Sequence, residues 1–107
     1  MAQASSLQKN LDSIARIVSF KLPNSKVILF GSYARGMQNA DSDIDICVIV
    51  DKLNMRRIEA MHMLRIAFID EVDMPLDILV FQKDDFEEAA EHPSRIEYAI
   101  AREGVEI

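Results

Sequence analysis

The chain has little cysteine, little aromatic content and a shortage of basic charge. Cys47 is the only cysteine among 107 residues, which excludes a disulfide framework and any metal site built from cysteines. It lies in an apolar run and reads as a small buried residue. Aromatic residues make up only 7% of the chain, so the core must come from Ile, Leu, Val and Met. Twelve Lys and Arg stand against 18 Asp and Glu, a formal net charge of −6. Such a surface repels phosphate backbones and no basic stripe interrupts it, so direct nucleic-acid binding is not expected. No apolar run approaches the roughly 20 residues of a transmembrane helix, and no membrane partner is expected. The polar start, "MAQASSLQKN", does not read as a signal peptide, and the simplest address is cytoplasmic.

Half of the residues are hydrophobic, a globular composition. The length predicts a single domain over residues 1–107, with a modest core and little mass for a second, substrate-holding domain. There is no internal repeat, low-complexity tract or linker.

Periodicity predicts a first helix over residues 6–22, with Leu7, Leu11, Ile14, Ile17 and Val18 on one face and Ser5 with Gln8 as a capping box. Residues 27–30 form a short apolar run that stops at Gly31 and reads as a buried strand. Ser32 is a candidate N-cap for a short helix or loop that Gly36 interrupts. Residues 44–50 are apolar on both faces, the pattern of a central strand. Asn54 is a candidate cap for a helix over residues 55–69, in which Met55, Ile58, Met61, Leu64, Arg65 and Phe68 follow helical spacing and make one face apolar. Arg56, Arg57, Glu59 and His62 fall on the other, solvated face. A third strand covers residues 76–81. Asp84 with Glu87 opens a helix to about residue 91, and Ser94 with Glu97 opens another that ends near Gly104. The closing "VEI" suits a short edge strand.

The stretch "FGSYARGMQNADSDIDICVIV" carries the chemistry. Asp43 and Asp45 open a core strand, although Asp is a poor strand former. Alternation places both on one face, roughly 7 Å apart along the backbone. Asp77 holds a matching place at the start of the third strand. If the second and third strands are neighbours, three carboxylates converge. Such a cluster is unstable without a cation, and a hard ion such as Mg²⁺ suits it. Otherwise the pair is a solvated strand entrance. The Gly31-Ser32 turn supplies a second part: glycine lets a phosphate approach the backbone, amides at a strand-to-helix turn favour anions, and Ser32 adds a donor. Arg35, one turn on, is in reach of a phosphate oxygen.

Gly31-Ser32, ten further residues and then Asp43-x-Asp45 resemble the signature of the DNA polymerase beta-like nucleotidyltransferase superfamily, in particular its minimal nucleotidyltransferase (MNT) branch. "GSYARG", "DSDIDICVIV", "PLDILVF" and "AIAREGVEI" are similar to that branch in wording as well as spacing. The resemblance covers nearly the whole chain. It implies an α+β fold, a mixed sheet of three to four strands with helices packed mainly on one face. It implies that Asp43 and Asp45 ligate two Mg²⁺ ions holding a nucleoside triphosphate, that Asp77 completes the site and helps deprotonate an acceptor hydroxyl, and that Gly31 and Ser32 bind the β- and γ-phosphates. It also implies a partner. Stand-alone MNT proteins are commonly encoded beside HEPN-domain proteins as antitoxin and toxin, in known cases with AMP passed from ATP to a toxin tyrosine. Two alternatives stand beside this reading: a non-catalytic antitoxin that neutralises its HEPN partner by occlusion, and an aminoglycoside-type small-molecule nucleotidyltransferase, which would need an acceptor wall supplied by a homo- or hetero-oligomer.

Overall fold

The computed structural model describes residues 2–39 and 41–107, with side chains described from residue 6 onward. In chain order the elements are α1 (Ala2–Lys21), β1 (Ser25–Phe30), α2 (Ser32–Arg35), β2 (Ile44–Val50), α3 (Arg57–Phe68), β3 (Leu76–Gln82), α4 (Lys83–Ala89), α5 (Ile96–Glu103) and β4 (Val105–Glu106). The strands form one four-stranded sheet in the order β3-β2-β1-β4. β1 runs antiparallel to β2 and to β4, while β2 and β3 are parallel. A parallel pair needs a crossover, and α3 supplies it.

Alternation along the interior strand β2 divides the core. Ile44, Ile46, Val48 and Val50 join Val27, Leu29, Ile78 and Val80 on one face, under Ile14 and Val18 of α1 and Ala60, Leu64 and Phe68 of α3. The opposite face presents Cys47, Ile49 and Phe81, packed by Phe86 of α4 and Ile100 of α5. The two long helices therefore cover the first face, and two short ones cover part of the second. The architecture is the expected α+β mixed sheet. Among the described residues no helix is long and apolar enough to cross a membrane.

A buried clamp aligns the strand entrances. Asn10 is only 3% exposed; its Nδ2 donates to the Ser6 carbonyl at 2.9 Å and to Asp73 Oδ1 at 2.8 Å, and the Asp73 N–H returns a bond to Asn10 Oδ1 at 3.1 Å. This ties α1 to the segment that leads into β3. The Ile44 N–H then donates to the Pro75 carbonyl at 2.9 Å, so β2 and β3 begin side by side.

Several local expectations are corrected. α1 starts at Ala2, which puts Ser5 inside the helix rather than at its cap; the Ser5 side chain lies outside the described residues. Gly31, not Ser32, holds the N-cap place of α2. α3 starts at Arg57, and its entrance is closed by Glu59, which accepts from the Arg56 N–H at 2.9 Å, rather than by Asn54. Its core face runs through Ala60, Leu64 and Phe68, whereas Ile58 is 68% exposed. Arg57 explains that rotation. Its Nε donates to the Val80 carbonyl at 2.6 Å and its guanidinium lies 4.2 Å from the Phe81 ring centroid. Exposed as expected, Arg57 is also a clip on the outer edge of β3, where backbone carbonyls lack a strand partner. α4 follows β3 without a loop, with Gln82 at its cap place, and α5 begins at Ile96 after Arg95. Neither Asp84 nor Ser94 caps a helix.

Candidate active site

β1 delivers the Gly31-Ser32 turn to the strand that carries the carboxylates. Phe30, the last residue of β1, is the register partner of Asp45. Gly31 follows with φ 73° and ψ −149°, a backbone state that disfavours any residue with a Cβ. A Cβ at Gly31 would also collide with the Asp45 carboxylate. The position thus excludes side chains twice, through backbone conformation and through contact. α2 begins at once, its Arg35 N–H donating to the Gly31 carbonyl at 3.1 Å, and ends at Gly36 in the left-handed region. The first amides of a helix have no intrahelical acceptor, which leaves this turn donor-rich.

The carboxylates arrive from two parallel strands. Asp45 and Asp77 are direct register partners across β2 and β3. Both belong to the face that α4 and α5 only partly cover. Asp45 is half-buried, while Asp43 and Asp77 are exposed on an open shelf. The Asp45 carboxyl is held above its ordinary pKa, first by burial, then by the Asp77 charge and a hydrogen bond between the two carboxyls, and last by the Asp43 charge. All three groups therefore act on one point.

That arrangement bears on a cation. Among the described residues no group of three or more His, Cys, Asp or Glu side chains forms a ready-made cage. The donor set is nonetheless all oxygen and all anionic, the chemistry a hard divalent ion takes. Burial and neighbouring negative charge both oppose ionisation of Asp45, which a bound cation would relieve. These residues fit Mg²⁺ on that ground, with Asp45 and Asp77 as the central pair and Asp43 at the rim.

Of the remaining predicted residues, Ser32 is half-buried beside Gly31. Arg35 lies within 3.9 Å of Glu103 on α5, with both side chains about half exposed. Glu97 was not legible as a buried group, because Ser94-x-x-Glu97 has the spacing of a cap. It is 3% exposed and pairs with Arg95 at 3.2 Å. Burial, with the Glu97 charge added, pushes the Cys47 thiol up to about 12, which makes Cys47 inert packing rather than a nucleophile.

The nucleotidyltransferase domain family matches residues 11–104, a span that contains every one of these site residues. The chain belongs to this family. This nucleotidyltransferase domain is 39% identical over 70 residues to protein adenylyltransferase MntA of Shewanella oneidensis, covering 63% of this chain and 50% of that protein. It thus spans about half the length of that relative. Among solved structures it is similar to a candidate nucleotidyltransferase of Sulfolobus solfataricus, with TM-score 0.61, 25% identity, and 81% and 78% of the two chains covered. A toxin–antitoxin structure with AMP-PNP matches with TM-score 0.55 and 25% identity over 91% of this chain and 71% of that one. A mutant MntA–HpeT toxin–antitoxin structure, TM-score 0.64 at 20% identity over 91% and 70% of the chains, shares the fold.

Proposed function

We propose that this domain is a Mg²⁺-dependent protein adenylyltransferase, the antitoxin of a toxin–antitoxin pair, which transfers AMP from ATP to a tyrosine hydroxyl of a HEPN-domain partner in the cytoplasm. The observation that carries the reading is the in-register Asp45–Asp77 pair lying against the Gly31 turn. A phosphate-binding turn and a carboxylate pair in contact suit one substrate that is both polyphosphate and metal-bound. The name of the MntA relative and the AMP-PNP in a structural neighbour support ATP as donor and a toxin as partner.

In this reading the Gly31 and Ser32 amides and the Ser32 hydroxyl hold the β- and γ-phosphates, and Arg35 exchanges Glu103 for a phosphate oxygen. Asp43, Asp45 and Asp77 would hold Mg²⁺, which supplies charge neutralisation of the triphosphate and of the leaving pyrophosphate. Asp77, the exposed member of the pair, accepts the proton of the incoming hydroxyl. The acceptor oxygen forms a bond to the α-phosphorus as the bond to the pyrophosphate oxygen breaks. The exposure of Asp43 and Asp77 suits a macromolecular acceptor.

Incubation with ATP, Mg²⁺ and a HEPN partner, followed by intact-mass measurement, tests the proposal. The partner gains one adenylyl group with the native domain and none with Asp45→Asn. A partner that stays unmodified yet neutralised overturns the enzymatic reading and leaves occlusion.

A further inference from the structure

We infer that Ile96 and Leu79 form the acceptor subsite, an apolar platform for a phenol ring whose hydroxyl meets Asp77. This rests on the function proposed above and names where its acceptor sits. The order of the strands gives the direction of approach. The phosphate-binding turn follows β1, Asp45 stands on β2, and Asp77 stands on β3 at the edge of the sheet. A triphosphate whose β- and γ-phosphates lie on the turn places its α-phosphorus over the carboxylates, with the leaving oxygen toward β1. Attacking and leaving oxygens at a transferring phosphorus lie roughly in line. The acceptor oxygen must then come from the β3 side, where Asp77 is exposed. The adenosine hangs from an oxygen outside that line and does not claim this side.

What stands on that side is the start of α5. The end of this helix lies over β1, since a Cβ at Gly104 would meet the Ile28 side chain and the Leu29 carbonyl. Its first turn carries the buried Glu97, whose charge acts on Cys47 of β2, and Ile96 comes one residue earlier. The eight residues of α5 span ~12 Å at the helical rise. Strands are about 4.8 Å apart, so the helix crosses β2 and reaches β3. It crosses one side-chain row behind Asp45 and Asp77, over Cys47 and its register partner Leu79.

The helical period fixes which flank of α5 faces the carboxylates. Glu97 and Ile100 point inward. Ala101 lines a cavity with Lys26, Ile49 and Phe86, toward the far end of the sheet. Glu103 reaches Arg35 of α2, toward the carboxylate end. Ile96 precedes Glu103 by seven residues, and such positions share a direction within ~20°. Ile96 therefore faces the carboxylates, and it is 51% exposed. Leu79 beneath it is half-buried. Arg95 pairs with the buried Glu97 carboxylate at 3.2 Å and pins the start of the helix, so the platform is in place before an acceptor arrives. A tyrosine ring buries apolar area on these two side chains while its hydroxyl stays at the carboxylate. A serine hydroxyl reaches Asp77 without that contact.

Isoleucine δ1-methyl NMR of the domain with AMP-PNP and Mg²⁺, titrated with N-acetyl-tyrosinamide, reads the contact without catalysis. The Ile96 methyl shifts upfield in the ring current, whereas the Ile58 methyl, on the helix that packs the other sheet face, does not move. N-acetyl-serinamide shifts neither. In the transfer assay Ile96→Ala raises KM for the HEPN partner about tenfold and leaves KM for ATP unchanged, because the platform binds the acceptor alone. Ile96→Met restores most of the loss. An unmoved Ile96 methyl, an equal shift at Ile58, or a native KM for the partner in Ile96→Ala overturns the subsite. A tyrosine-specific shift at Ile96 in a domain that transfers no AMP upholds the subsite and overturns the enzymatic reading, which keeps the two failures apart.

Discussion

In the proposed role Asp45 has to be an anion where its surroundings oppose charge. Burial, the neighbouring Asp77 and the more distant Asp43 all raise its pKa. The sign of the consequence follows from linkage. A carboxyl whose folded pKa is raised contributes stability that is fully present below its ordinary value of 3.8 and is lost as pH rises through the raised one. At neutral pH, without a cation, an ionised Asp45 therefore weakens the fold. Asp45→Asn removes that penalty. The variant is expected to melt at a higher temperature than the native domain at pH 7, with the difference shrinking toward pH 3, while the proposed adenylyl transfer falls roughly a thousandfold. Calorimetry across pH together with the mass assay checks both halves. Asp45 was legible as a residue near the start of a core strand, whereas Asp43 stands one residue ahead of β2. The half-burial of Asp45 was not legible, since it depends on Gly31 lying over it.

At the scale of elements, the decisive unit is β1, Gly31 and α2. Gly31 carries a positive φ and touches the Asp45 carboxylate, so Gly31→Ala adds about 1–3 kcal/mol of backbone strain and pushes Asp45 aside. Urea denaturation should show that loss, and adenylyl transfer should fall with it; a variant with native stability and native activity would contradict the geometry. The turn was readable from an apolar run that stops at Gly-Ser. The helix starts were read less well. Asn54, Ser5, Asp84 and Ser94 each had the composition of a cap, but cap chemistry competes with packing. Arg57, clipped to the Val80 carbonyl and the Phe81 ring, set where α3 begins and which way it faces. Of the apolar stripe read from the sequence, Leu64 and Phe68 are buried and Met61 packs against the core, whereas Ile58 lies on the surface.

At the scale of the molecule, an acidic protein concentrates three carboxylates at one end of its sheet. Mg²⁺ that binds the folded site raises stability by mass action, about 2.7 kcal/mol at a hundredfold excess over its Kd. A thermal-shift titration with MgCl₂ at fixed ionic strength should show this rise for the native domain and not for the double variant D45N/D77N. Holding ionic strength constant separates site binding from general screening of the net charge. An equal shift in both proteins would mean that the carboxylates hold no ion.

By itself the chain's order of residues determined the class of fold, the three main strands, the Gly-Ser turn and the place of Asp45 near the start of a core strand, because each depends on neighbours in sequence. The tertiary structure alone decided that β3 lies parallel beside β2 with Asp77 level with Asp45, and that α3 turns a second apolar stripe outward. Register across a parallel pair depends on the Asn10–Asp73 clamp and the Ile44–Pro75 hydrogen bond. Those contacts join segments far apart in the chain, and no local pattern encodes them.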